Sequence, residues 1–264
     1  MRPKDRLYQT IRFVKDNGRL IFQVFAIRMR SEFKTTQICH FLVVKNPIYA
    51  RISLYAISSL LFFNPNVKVN IHCDKCCFRA LNPMTRLLFG SRVTLIRSDT
   101  RHHDPMFEKA KLLVSLQGTS DFFIDADTRI NGRLPVFSNI GLLVREFKLS
   151  ESEVWRELLN RIQAKSLDGA MLNTTFFTWG NRDLNLSLQN FTDFYSKFMR
   201  LNWEAISLEF KIVDKQYLRL VEQFFFSIEL SQQRVLFLKS EDSVADKGLI
   251  ESSYYGASGY RFGR

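Results

Sequence analysis

Phe122-Phe123-Ile124-Asp125-Ala126-Asp127-Thr128 is the stretch that decides the reading of this chain. Three large apolar residues in a row have the form of a short central strand buried on both faces, as parallel sheets require. The strand runs straight into two carboxylates separated by one small residue. In extended backbone, residues two apart point to the same side, so Asp125 and Asp127 are expected to converge. They would do so beyond the carboxyl end of a strand, where open α/β sheets bind ligands. Two ionised carboxylates ~5 Å apart repel by about 3 kcal/mol at an effective dielectric near 20. A divalent cation, Mn²⁺ or Mg²⁺, gives a reason to accept that repulsion, because it takes hard oxygen ligands and brings phosphate oxygens with it. The bland alternative is a solvated acidic turn, and a bare DxD does not separate the two.

The segments upstream supply the context. Gln37–Val44 (QICHFLVV) is a strand candidate, ended by the turn residues Asn46-Pro47. Tyr49–Phe63 is apolar on nearly all sides, as expected of a helix buried against a sheet. Val67–Cys73 alternates apolar and polar residues and stops at Asp74; a helix over Cys76–Phe89 and a strand over Arg92–Arg97 follow. Met106–Leu116 makes a helix with Gly118 as its stop. Strand and helix thus alternate three times before Asp121, which argues for a parallel sheet with right-handed crossovers.

Downstream the pattern loosens. Ser150 and Glu153 form a capping box, with Val154, Trp155, Leu158, Leu159 and Ile162 on one helical face. Met171–Trp179 reads as a strand, Leu184–Met199 as a helix, and Asp214 caps a further helix through Ile228. Val235–Leu238 is a last strand. The expected class is α/β: a Rossmann-like, mostly parallel central sheet flanked by helices, followed by a second α/β half. The expected organisation is a basic N-terminal extension over residues 1–36 and a single domain over 37–264.

Composition narrows the function classes. The formal charge is +12, and residues 1–36 carry nine Lys/Arg against three acids, hence +6 of it. Such an excess attracts phosphates of any origin, but no nucleic-acid recognition motif accompanies it, so a nucleic acid polymer is not an expected partner. Arg19–Arg30 (RLIFQVFAIRMR) admits two readings, a helix lying in a membrane interface or an ordinary helix packed on the domain. No run reaches the ~18 uncharged apolar residues of a membrane span; the longest uncharged one, Ile52–Val67, holds three serines, two asparagines and a proline. Cys73 and Cys76 form a lone CxxC without the further ligands that zinc wants. Reduced thiols and the lack of a leader pattern after Arg2 lead to an expected cytoplasmic location, with peripheral membrane contact through the basic N-terminus.

From Gln37 to Tyr260 the chain resembles the A-type (GT-A) nucleotide-diphospho-sugar glycosyltransferases, most specifically at FFIDADT. Asn64–Asp74 (NPNVKVNIHCD) looks like the family's second strand, and Leu172-Asn173-Thr174 resembles its acceptor-side strand, with Thr175 where glycine is usual. Glu222-Gln223 resembles the acidic pair that lines the sugar site. The resemblance implies a GT-A fold and a metal bridging Asp127 and the donor's diphosphate, with Asp125 on the metal or the ribose. Lys109 with Lys111 would add positive charge to that diphosphate, and the tail Gly256–Arg261, with Arg261 as its cation, would close over the phosphates. Glu222 would be the sugar-side carboxylate, acting as base if the reaction inverts. Asn173 would line the acceptor site, where Trp179 would stack on a sugar unless it is a core indole. Donor and acceptor are then a nucleotide sugar and a glycan, lipid-linked glycan or protein. Many members also supply a C-terminal histidine to the metal; here Tyr254-Tyr255-Gly256 occupies that stretch, and no histidine follows His103.

Two other classes compete. A haloacid-dehalogenase-type phosphatase also runs an apolar strand into DxD, but Thr128 comes one residue too early for it. A sugar-nucleotide-binding relative that has lost turnover fits the absent histidine.

Overall fold

A computed structural model describes residues 3–30, 37–98, 104–134, 140–148, 153–162, 170–210, 221–231, 236–239 and 250–251. In chain order the elements are α1 (Pro3–Met29), β1 (Gln37–Val43), α2 (Pro47–Phe63), β2 (Val67–Cys73), α3 (Lys75–Phe89), β3 (Val93–Arg97), α4 (Pro105–Ser115), β4 (Phe122–Ile124) and β5 (Arg129–Ile130). Then come β6 (Gly141–Lys148), α5 (Glu153–Arg161), β7 (Ala170–Thr178), α6 (Leu188–Met199), α7 (Trp203–Glu209), α8 (Val221–Glu229), β8 (Leu236–Lys239) and β9 (Ile250–Glu251). They divide into two compact units, the first drawn from residues 1–103, 120–136 and 241–264, the second from 104–119 and 137–240.

The first unit is the parallel α/β layer that the alternation predicts. Its strands lie in the order β3-β2-β1-β4, every pairing parallel. The chain therefore works outward from β1 to β3 and returns to the other side of β1 for β4. The switch point lies between β1 and β4, with the acidic turn at the carboxyl end of β4. Each local stop has a visible cause. The Asn46 side chain accepts from the Ile48 N–H and Pro47 opens α2, whose missing N–H is harmless there. Val67, Val69, Ile71 and Cys73 bury one face of β2 while Lys68 on the other is exposed. Asp74 then ends the strand and caps α3 by accepting from the Cys77 N–H at 2.8 Å. β5 and β9 form a separate antiparallel pair, Arg129 opposite Glu251 and Ile130 opposite Ile250.

The basic N-terminal segment is helix α1, packed along α2 within this unit. Gln23 accepts from the Ser58 hydroxyl at 2.9 Å, Asn17 accepts from the Tyr55 hydroxyl at 2.8 Å, and Ile27 is buried. Among the described residues no helix is long and apolar enough to cross a membrane.

The second unit is a mixed layer. β6 lies between β7, antiparallel to it, and β8, parallel to it. Its core gathers Leu158, Leu159 and Ile162 of the α5 region with Phe198, Ile206, Val221 and Phe224. β6 and α7 were not anticipated from the sequence, and α6 begins four residues later than the apolar register suggests. The cause of the delay is tertiary: the Gln117 side chain accepts from the N–H groups of Leu184 and Leu186, and Ser187 takes the N-cap. Gly118, at φ +73°, supplies the left-handed residue that lets its N–H reach the Arg182 carbonyl at 2.9 Å. Ser150 and Asp214, expected as caps, lie outside the described residues.

Candidate functional site

Two constellations emerge, one in each unit. In the first, β4 pairs with β1 at Cys39↔Phe122 and His40↔Phe123, and all three of its side chains are buried. The backbone then turns at once: the Thr128 N–H donates to the Asp125 carbonyl at 3.1 Å. Asp125 and Asp127 are half-buried, with Ala126 and Thr128 buried between and after them. The extended-strand argument for their convergence is therefore corrected. The two acids sit on a tight turn, where side-chain direction is set by the turn and not by strand alternation.

That turn is held at both ends. Before it, Asp121 accepts from the Ile38 N–H at 3.1 Å and lies 3.4 Å from His40 Nε2. After it, the Ile130 N–H donates to the Ser59 hydroxyl at 3.1 Å, and Asn64 at the end of α2 accepts from the Leu134 N–H at 2.7 Å while donating to the Gly132 carbonyl at 3.4 Å. A residue overlooked in the sequence is Lys45, just past β1. Its side chain is exposed, its φ is +67°, and its N–H donates to Asp74 at 2.6 Å. The only sequence signal for it was its place before Asn46-Pro47.

The donor set suits a hard cation. Two carboxylates share one turn, and the buried Thr128 hydroxyl next to them makes no hydrogen bond among the described residues. A hydroxyl left so costs roughly 1–3 kcal/mol, which a water or ligand oxygen would relieve. No group of three or more His, Cys, Asp or Glu forms a metal cluster among the described residues. A cation held here would need oxygens from water or phosphate, the usual habit of Mg²⁺.

The second unit brings together two of the residues singled out in the sequence. Lys109 Nζ lies 3.6 Å from Glu222 Oε1, with the side chains 7% and 1% exposed. Thr174, singled out in the sequence only as part of the Leu172-Asn173-Thr174 strand, donates its hydroxyl to the same Glu222 oxygen at 3.1 Å. A local irregularity sets Thr174 in place. Strand pairing jumps from Leu142↔Phe177 to Leu143↔Asn173, leaving Thr174, Thr175 and Phe176 as extra residues of a bulge, which re-aims side chains. The half-buried Asn173 accepts from the Thr175 N–H at 3.1 Å inside that bulge.

Three expectations change here. Glu222, expected as an open sugar-side carboxylate, lies in α8 where Val221 through Ser227 are all buried, so its carboxylate is interior and ion-paired. Lys111 is exposed where Lys109 is buried, because positions two apart on a helix face nearly opposite ways. Trp179 is 0% exposed, donates to the Leu113 carbonyl at 2.7 Å and packs against Phe177 and Phe226; it is a core indole. Arg261 lies outside the described residues.

No protein family model matches this sequence, and no curated protein matches it. Solved structures do resemble it. The galactosyltransferase LgtC, in complex with donor and acceptor sugar analogs, is similar over 78% of this chain and 74% of its own, at 12% identity and a TM-score of 0.48. The glycosyltransferase GlyE of Streptococcus pneumoniae is similar over 81% of this chain and 49% of its own, at 12% identity and a TM-score of 0.41. The mannosyltransferase PcManGT of Pyrobaculum calidifontis, in complex with GDP-Man and Mn²⁺, is similar over 58% of this chain and 57% of its own, at 10% identity and a TM-score of 0.33. By their names all three of these solved proteins are glycosyltransferases.

Proposed function

We propose that the protein is a metal-dependent glycosyltransferase that moves a sugar from a nucleotide-diphosphate donor to a glycan, lipid-linked or protein acceptor. One observation carries the reading: the buried strand β4, at the switch point of a parallel sheet, delivers Asp125 and Asp127 on a tight turn at its carboxyl end. A Mn²⁺ or Mg²⁺ ion held by these two acids would offset the negative charge that grows on the leaving diphosphate. The chain's own residues do the rest. Lys45, at the end of β1, presents a further cation to the phosphates. Asn173 contributes to acceptor binding. Glu222 is the sugar-side carboxylate, oriented by the Thr174 hydroxyl and paired with Lys109. Arg261, in the basic tail that follows β9, is the proposed further cation over the phosphates.

Thermal unfolding with UDP, GDP, CDP and their sugar conjugates, with and without Mn²⁺, tests this. A ligand at a hundred times its dissociation constant adds about 2.7 kcal/mol of stability. The expected result is a metal-dependent shift with one nucleotide, lost in Asp125→Ala/Asp127→Ala. A folded protein that no nucleotide stabilises would overturn the reading. Stabilisation without transfer to any acceptor or water would favour the sugar-nucleotide-binding relative.

A further inference from the structure

Helix α1 wears its polarity inside out. Over residues 14–30 the buried positions are Asp16, Gln23 and Ile27, two of them polar, and the polar side chains of Asn17 and Gln23 serve α2. The outward positions are Val14, Ile21, Phe22, Phe25 and Met29, each between 63% and 71% exposed. At ~100° per residue these five, with Gly18, fall within one arc of about 120°. An ordinary surface helix points such an arc at the core. Here the core side is held by the hydrogen bonds of Asn17 and Gln23 and by Ile27. The five large apolar side chains stay largely exposed along about 23 Å of helix, Phe22 tilted against Phe62 at a ring-centroid distance of 5.9 Å.

The rim of that arc is basic. Arg28 borders it on one side; Lys15, Arg19 and Arg30 border it on the other. Arg30 also donates to the Phe62 carbonyl at 2.6 Å, which places its guanidinium beside the stripe. The only acid in residues 14–30 is Asp16, and it is buried on the opposite side. The stripe and its rim therefore present apolar bulk and positive charge with no negative charge among them.

We propose that this face of α1 seats the protein in the surface of an anionic lipid bilayer. The helix would lie in the interface plane, with Ile21, Phe22 and Phe25 below the headgroups and the four cations among the phosphates. The choice of lipid over a second copy of the chain rests on charge. Two such faces apposed would set cation against cation in a protein already at +12, whereas an anionic surface complements every rim residue at once. The proposal is independent of the sugar-transfer reading, since it concerns a different element and needs no turnover.

Co-sedimentation of the full chain with phosphatidylcholine vesicles, with and without about one third phosphatidylglycerol, is the test. Binding is expected to the anionic vesicles and to be at least roughly tenfold weaker to the neutral ones. Ile21→Ser/Phe25→Ser should weaken anionic-vesicle binding by roughly tenfold or more while leaving the unfolding midpoint in place, because both side chains are largely exposed. Arg19→Gln/Arg28→Gln should weaken it in a salt-dependent way. Failure of the unaltered chain to bind anionic vesicles would overturn the proposal. So would equal binding by the serine variant. A concentration-dependent dimer that the same serines dissolve would assign the face to a second copy instead.

Discussion

Lys109 and Glu222 show what a single contact decides. Each is an ordinary charged residue in its own helix, and only the fold makes them partners 3.6 Å apart in a buried place. Removing one partner strands the other charge, so Lys109→Met should cost about 3–5 kcal/mol in urea unfolding. The double variant Lys109→Met/Glu222→Leu should cost clearly less than the sum of its singles, since a buried pair replaced by apolar groups is often near neutral. Additive costs would show that the two side chains do not interact. Thr174→Val removes the hydroxyl from Glu222 while keeping the shape, and about 1 kcal/mol of lost stability is expected.

The elements around the acidic turn are joined by short side-chain bonds, and these too were partly legible. Asp74 ends β2, as its place after an alternating run suggested, and also caps α3, which the sequence reading began at Cys76. What the sequence did not reveal is its bond to the Lys45 N–H at 2.6 Å, which ties the β1 exit to the α3 entrance. Burial raises the Asp74 carboxyl, but the N–H groups of Cys77 and Lys45 outweigh it, so its pKa falls below the usual value. Asp74→Ala should therefore lose about 1–2 kcal/mol at neutral pH, the cost of a lost cap, and the difference from the unaltered protein should shrink as pH drops below the carboxylate range. Lys45→Gln, by contrast, should leave the unfolding midpoint unchanged and weaken nucleotide binding by roughly tenfold, as expected for a lost charge-assisted contact. An unchanged affinity would remove Lys45 from the donor site.

At the scale of the whole molecule, acid sensitivity has an identifiable source in the parallel sheet. His72 on β2 lies 2.9 Å from His40 on β1, and His40 in turn lies 3.4 Å from Asp121. Burial, with the neighbouring His40 adding to it, pushes the His72 pKa down to about 4. The unfolded chain binds this proton near pH 6.5 and the folded chain does not, so stability rises with pH across that window. Acidification from pH 6.5 to 4 should cost on the order of 1–2 kcal/mol from this group, discounted for its partial exposure. A His72→Asn variant whose unfolding free energy keeps the same pH slope would show that the slope arises elsewhere.

Some of this was written in the order of residues alone. The class of the fold, the parallel pairing of the first strands and the place of the acids after β4 follow from local pattern: alternation, apolar runs and capping residues act over a few positions, and neighbouring sequence is enough to read them. Strand β6, the late start of α6, the bulge that turns Thr174 toward Glu222 and the burial of Trp179 depend on groups tens of residues away. The same holds for α1. Its sequence allowed either a packed helix or an interfacial one, and the hydrogen bonds of Asn17 and Gln23 to α2 set the side that faces inward and leave Phe22 and Phe25 largely exposed. Periodicity records which residues share a face; which way that face turns is settled by the partners the rest of the chain supplies.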